Sequence, residues 1–219
     1  MKHPGEYEDT SDIIMISLLE ENMPSKPGTL PDLEYHPVTT EQWQDLETLF
    51  GASGAYAGCW CMWWRTTRSE FGKQAGQGNK EALHAIVDAD EIPGLLAYAN
   101  SRAIGWCSIA PREAFPSLER SRTLKRVDDK PAWSVVCFFV AKPYRRLGLM
   151  VNLLQAATEY AKEHGAKIVE GYPIEAKESN LPSVSSFTGI VSAFAEAGFV
   201  EVLRRSEHRP IMRYFIEEQ

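Results

Sequence analysis

The stretch "WSVVCFFVAKPYRRLGLMVNLLQAA", Trp133 to Ala157, passes from strand-forming residues through a basic, glycine-bearing turn into a helix. Trp133 to Val140 is β-branched and aromatic almost throughout, the composition of a central strand buried on both faces. Beyond the turn, Met150, Leu153, Leu154, Ala157, Tyr160 and Ala161 recur at helical spacing, and Gly165 supplies the left-handed stop. Such a turn exposes the unpaired N–H groups of the helix's first residues at the positive end of its dipole, where an anion fits. Arg145 and Arg146 add charge that can bridge phosphate oxygens, and Gly148 lets the backbone approach a bulky anion. A merely solvated turn is the competing reading, so the order of the surrounding elements has to decide.

Upstream, "LEYHPVT" reads as a strand, and "TTEQWQDLETLFG" as a helix capped by Thr39 or Thr40. A long glycine-rich, aromatic segment follows, from Gly51 to Asn79, and is expected to line a pocket, because ordering so long a loop costs entropy that something must offset. "NKEALHAIVDAD" returns to helical spacing, and "LLAYAN" with "AIGWCSIAP" reads as an antiparallel hairpin. Residues 112–132 are charged and aperiodic, and are expected to form a surface loop. Downstream come the strand "KIVEGYP", a long loop, a short helix ending at Gly198 and two more strands, which together give a mixed-sheet α/β domain. Residues 1–31, with one apolar patch "DIIMISLL", read as an extension on a domain spanning 32–219.

The 219 residues carry a net charge of −7, which argues against a dedicated nucleic-acid binder. No run approaches the roughly 20 apolar residues of a membrane span, and the N-terminus lacks a signal core. Four cysteines are too few and too unevenly spaced for a secreted disulfide framework, so a reducing cytoplasm is the expected setting.

Neither a G-x-x-x-x-G-K-[ST] loop nor a G-x-G-x-x-G turn after a strand is present. The element order instead resembles the GNAT superfamily of N-acetyltransferases, whose acetyl-coenzyme A motif is a strand, then R/Q-x-x-G-x-G/A, then a helix. Arg145 and Gly148 match the first two fixed positions, and Met150 stands where the family has glycine or alanine. The resemblance runs from Leu33 to the C-terminus and includes the "EAGF" ending of the last helix. It implies a mixed, mostly antiparallel central sheet flanked by helices, acetyl-coenzyme A as cosubstrate and an amine acceptor. It further implies coenzyme contacts from Phe138 and Val140 on the strand and from Arg145, Arg146, Gly148, Leu149, Met150 and Val151 at the turn. A homodimer is compatible with it.

Departures from the family pattern bear on proton transfer. Many GNAT enzymes have a tyrosine four residues before the glycine of the terminal "GF", and Phe194 stands there; Phe187 takes the place of a common asparagine. Tyr172, Cys137 or water would then have to reprotonate the thiolate, and Glu170 is the best remaining carboxylate for a base. Catalytic roles are therefore expected for Glu170 and Tyr172, against the plainer reading of Glu170 as an arginine's partner. An acyl-coenzyme A sensing module that has lost catalysis is the alternative.

The stretch "CWCMWWR" is expected to wall the acceptor pocket with Trp60, Trp63, Trp64 and Arg65. Cys59 and Cys61 lack the second ligand pair that a structural zinc needs, so no metal is expected.

Overall fold

The computed structural model describes residues 29–175 and 186–217. The patch "DIIMISLL" lies outside them. In chain order the helices are α1 (Trp43–Phe50), α2 (Arg68–Lys73), α3 (Gln77–Asp88), α4 (Pro116–Glu119), α5 (Leu149–Glu163) and α6 (Val191–Glu196). The strands are β1 (Glu34–Pro37), β2 (Leu95–Ala99), β3 (Arg102–Pro111), β4 (Trp133–Val140), β5 (Ile168–Gly171), β6 (Val200–Arg204) and β7 (Pro210–Phe215). They form one sheet in the order β1-β2-β3-β4-β5-β7-β6, antiparallel at every pairing except β4 with β5. This is the mixed, mostly antiparallel sheet flanked by helices that the sequence implied.

Alternation along the strands divides the core into two layers. One packs Trp43, Leu46 and Phe50 of α1 and Leu83 and Val87 of α3 against Leu96, Trp106 and Tyr172. The other packs Leu149, Leu153, Leu154 and Ala157 of α5 against Ala97, Cys107 and Val169. Each fully buried leucine contributes about 1.5–3 kcal/mol, so α5 is anchored well enough to hold the turn before it. The β2–β3 hairpin closes through Asn100 and Ser101, both at positive φ, the pattern of a two-residue turn matched to strand twist.

Two local expectations are corrected. Helix α1 begins at Trp43 after Gln42, with no side-chain cap, because Thr39 Oγ1 bonds Gln42 Oε1 at 2.6 Å and turns the chain before the helix starts. Residues 112–132 are not simply a surface loop: Phe115 and Leu118 are wholly buried and Arg112 is only 3% exposed. Buried side chains scattered through a charged, aperiodic stretch leave no periodicity for a sequence reading to detect.

In the centre of β4 the ladder with β3 slips, since Ile109 pairs with Val135 but Ser108 pairs with Cys137. Val136 is thereby left unopposed, as in a β-bulge. Val136 and Cys137 consequently share the α1–α3 layer, while Val135 and Phe138 both belong to the α5 layer. Strict alternation would have put Cys137 and Phe138 on the opposite faces.

Candidate active site at the open seam of the sheet

Strand β4 pairs with β5 only from Trp133↔Val169 to Val135↔Gly171. Beyond Val135 that edge of β4 has no strand beside it among the described residues, and the Phe138 N–H donates instead to the Phe187 carbonyl at 2.7 Å. Phe194, wholly buried, sits at the opening, with its ring edge-on to Phe138 at 6.1 Å between centroids. A Cβ on Gly171 would overlap the Phe194 ring.

The basic turn lies at the end of this open edge. Arg145 Nε donates to the Val140 carbonyl at 2.9 Å, which folds the side chain back over the strand end. Arg146 and Gly148 have φ of 64° and 86°, in the left-handed region. Nothing within 4 Å would obstruct a Cβ on Gly148, so glycine is needed there for its backbone angle. No side chain caps the first turn of α5; the Val151 N–H donates to the carbonyl of the cap residue Gly148 at 2.9 Å, and the amides of Leu149 and Met150 lie ahead of the first intrahelical bond. Asn152 Nδ2 bonds the Gly148 carbonyl at 3.2 Å, steadying the cap residue. Met150 is half-buried against the α5 core layer. All eight residues expected to hold the coenzyme, Phe138, Val140, Arg145, Arg146, Gly148, Leu149, Met150 and Val151, line a single cavity of about 370 Å³. The chemistry of its walls suits a phosphorylated ligand with an extended arm: a cationic turn and helix N-terminus at one end, a strand edge at the other.

A second cavity, of about 630 Å³, adjoins it through Phe138, Phe139, Arg145 and Phe187, which line both. Trp63 and Trp64 are on its wall, as expected, together with Tyr56, Phe71, Cys59, Cys61 and Cys137. Trp60 and Arg65 are not among its described lining residues. Trp60 stacks on Trp43 at 6.0 Å beneath α1. Arg65 lies over the Phe115 ring and donates to the Pro93 carbonyl, and burial lowers its pKa to about 10, leaving it cationic at neutral pH. The indole N–H of Trp64 is buried and has no acceptor among the described residues.

The wall is held by a strained loop. Ala55, Ala57, Trp60 and Cys61 all have positive φ, which costs a residue bearing a Cβ roughly 1–2 kcal/mol. Hydrogen bonds pin it: Gly76 N–H and Asn79 Nδ2 both donate to the Gly58 carbonyl, and Gly58 N–H donates to Ser53. Cys61 Sγ lies 2.7 Å from Cys137 Sγ and accepts from Trp106 Nε1 at 3.1 Å, joining the loop to β4. The cysteines are free thiols, and no cluster of three metal-ligating side chains exists among the described residues.

Glu170 and Tyr172 occur together, but in another environment. Glu170 is wholly buried: its Oε1 accepts from Arg112 Nη1 at 2.8 Å and from Tyr172 OH at 2.7 Å, and its Oε2 accepts from Arg213 Nε at 2.8 Å. Tyr172 OH also bonds Ser134 Oγ and receives Arg112 Nη1. Burial, reinforced by the adjacent Glu170 carboxylate, pushes the Tyr172 phenol well above its ordinary range. Neither residue is among the described lining of either cavity. Sequence reasoning missed Arg112 and Arg213, whose only local signal is a charge inside or beside apolar residues.

Over residues 16–187 the chain matches the Acetyltransferase (GNAT) family. Among solved structures, an acetyltransferase of the GNAT family from Listeria monocytogenes is similar with a TM-score of 0.53 at 9% identity, covering 85% of this chain and 96% of that one. One from Streptococcus agalactiae is similar with a TM-score of 0.52 at 9% identity, over the same shares. No curated protein matches the chain. No described helix is long and apolar enough to cross a membrane.

Proposed function

The chain belongs to the GNAT acetyltransferase family, and on that premise we propose that it moves an acetyl group directly from acetyl-coenzyme A to an amine of a small molecule or protein. The observation that carries this reading is the junction of the two cavities at Phe138, Phe139, Arg145 and Phe187. Backbone groups of Phe138 and Val140 would bind the pantetheine arm as an added strand. Arg145, Arg146 and the amides from Gly148 to Met150 would hold the pyrophosphate, with Val151 beside them on the cavity wall. The coenzyme supplies an activated thioester; the protein brings it to the junction and excludes water from the aromatic side. No acyl-enzyme intermediate is required.

In this reading Glu170 and Tyr172 position structure and do not move the reaction's protons. Both carboxylate oxygens of Glu170 are already engaged, so an incoming amine would have to displace an arginine from a buried ion pair. Phe194 has no proton to give, while Cys137 places a protic thiol on the wall beside the junction. The free thiols favour a reducing, cytoplasmic setting.

Calorimetry with acetyl-coenzyme A, followed by thiol-release assays on an amine panel, tests the proposal. Binding with acceptor-dependent thiol release is expected. Binding without release for any amine points to the sensing module, and absence of binding defeats the reading.

A further inference from the structure

The composition of the aromatic cavity restricts the acceptor that the proposed transfer would use. Its walls include Trp63, Trp64, Phe71, Phe139 and Phe187, and Arg145 carries the one charge among the described lining residues. No Asp, Glu or His is among them. The thiols offer no negative charge either: burial pushes Cys61 well above the ordinary range, and its hydrogen bond with Cys61 pushes Cys59 up.

A primary alkylamine is protonated near neutral pH. Entering this cavity would strip water from an ammonium with no carboxylate among the described walls to pair it, a cost that a cation–π contact offsets only in small part. The Arg68 guanidinium already lies 3.6 Å from the centroid of the Trp63 ring, so one cation already uses that indole. An alkylammonium would also need a base to free its lone pair, and the described walls provide none. An amine attached directly to an aromatic ring meets neither obstacle. Delocalisation of its lone pair into the ring keeps it uncharged at neutral pH, and its flat apolar face matches the walls.

We infer that the acceptor is a neutral aromatic amine, seated against Trp63, Phe71 and Phe187 with its nitrogen at the junction beside Phe138. The nitrogen lone pair forms the new C–N bond to the acetyl carbonyl carbon. The C–S bond breaks with its electron pair remaining on the coenzyme sulfur, and the proton lost from nitrogen neutralises that sulfur directly or through water. The products are an aromatic amide and the coenzyme thiol, with no change of oxidation state.

The inference rests on the acetyl transfer proposed above, and its test separates the two. The full chain is assayed with acetyl-coenzyme A against 4-methoxyaniline and 5-aminoindole, and against phenethylamine and spermidine as alkylamines, one of them carrying a ring. The aromatic amines are expected to exceed both alkylamines in kcat/KM by about tenfold or more. Trp63→Ala and Phe71→Ala are each expected to raise KM for 5-aminoindole by about tenfold while the Kd for acetyl-coenzyme A, from calorimetry, stays unchanged. Turnover of phenethylamine or spermidine at or above the aromatic amines overturns the inference and leaves the transferase reading standing. Acetyl-coenzyme A binding with no turnover of either aromatic amine also overturns it. Failure to bind acetyl-coenzyme A overturns the transferase reading itself.

Discussion

The ring of Phe194 occupies the space that a side chain on Gly171 would need, so the last residue of β5 and the middle of α6 fit together only while residue 171 is glycine. Phe194 also meets Phe138 edge-on and Phe199 at 5.0 Å, which makes it the wedge where β4 and β5 part. Gly171→Ala is expected to cost roughly 1–3 kcal/mol by overpacking, read as a fall of several degrees in Tm. Adding Phe194→Ala should give a double variant less destabilised than the sum of the two single changes. Strict additivity would show that the ring does not fill the glycine's space.

Glu170 joins β5 to Arg213 of β7 and to Arg112 beyond the end of β3. Removing one partner of a buried ion pair typically costs about 3–5 kcal/mol, because the other charges remain uncompensated. Glu170→Gln should therefore lower the denaturation midpoint strongly, while thiol release per folded molecule changes little. A hundredfold fall in kcat with unchanged stability would restore the carboxylate as a base.

Arg146 contributes charge from a strained, left-handed backbone. Arg146→Gly relieves that strain, so Tm should hold or rise slightly, yet coenzyme affinity should fall roughly tenfold through loss of a charge-assisted contact. The difference from the unaltered protein should shrink as salt is raised. Gly148→Ala should do the reverse on stability, losing about 1–2 kcal/mol to the positive φ. Equal affinities for both variants and the parent would place the pyrophosphate elsewhere.

The Phe138 N–H already has an acceptor, the Phe187 carbonyl. A coenzyme arm lying along this edge must take over that bond. In a nitrogen-15-labelled sample, the amide resonance of Phe138 should shift on titration with coenzyme A. The Cys107 amide, on the neighbouring strand, should move far less. An unmoved Phe138 resonance would mean the arm runs elsewhere.

Burial raises the Cys107 thiol, burial raises Cys61, and hydrogen bonding to Cys61 raises Cys59. Below about pH 8.5 these thiols are protonated in both folded and unfolded chains and add no pH dependence. Above it the unfolded chain releases protons that the folded chain keeps, so stability falls as pH rises, by up to about 1.4 kcal/mol per pH unit for each thiol. Guanidinium unfolding at pH 8 and pH 10 should show this loss, and Cys107→Ala should make it shallower. An unchanged slope in that variant would exclude Cys107 from the effect.

The parts of the site carried by contiguous sequence were legible without a structure. β4, the arginine-glycine turn and α5 are local patterns, and the eight residues expected there to hold a coenzyme line one cavity because a strand, a turn and a helix leave little freedom between them. The wall of the aromatic cavity was legible only in part. Trp63 and Trp64 line it, whereas Trp60 and Arg65, in the same seven-residue stretch, are not among its described lining residues: Trp60 stacks on Trp43, and Arg65 lies over Phe115 and bonds the Pro93 carbonyl, partners supplied by other elements.

By itself the sequence determined the mixed sheet flanked by helices, since apolar periodicity chooses between strand and helix and decides which face is buried. Only tertiary structure decided what Glu170 and Cys137 do. Glu170 is claimed by arginines from β7 and from beyond β3, partners that no local pattern announces. Cys137 faces Cys61 because a bulge opposite Ser108 and Ile109 shifts β4 by one residue. A one-residue slip exchanges the faces of every side chain beyond it, and the pairing that causes it exists only once β3 lies alongside.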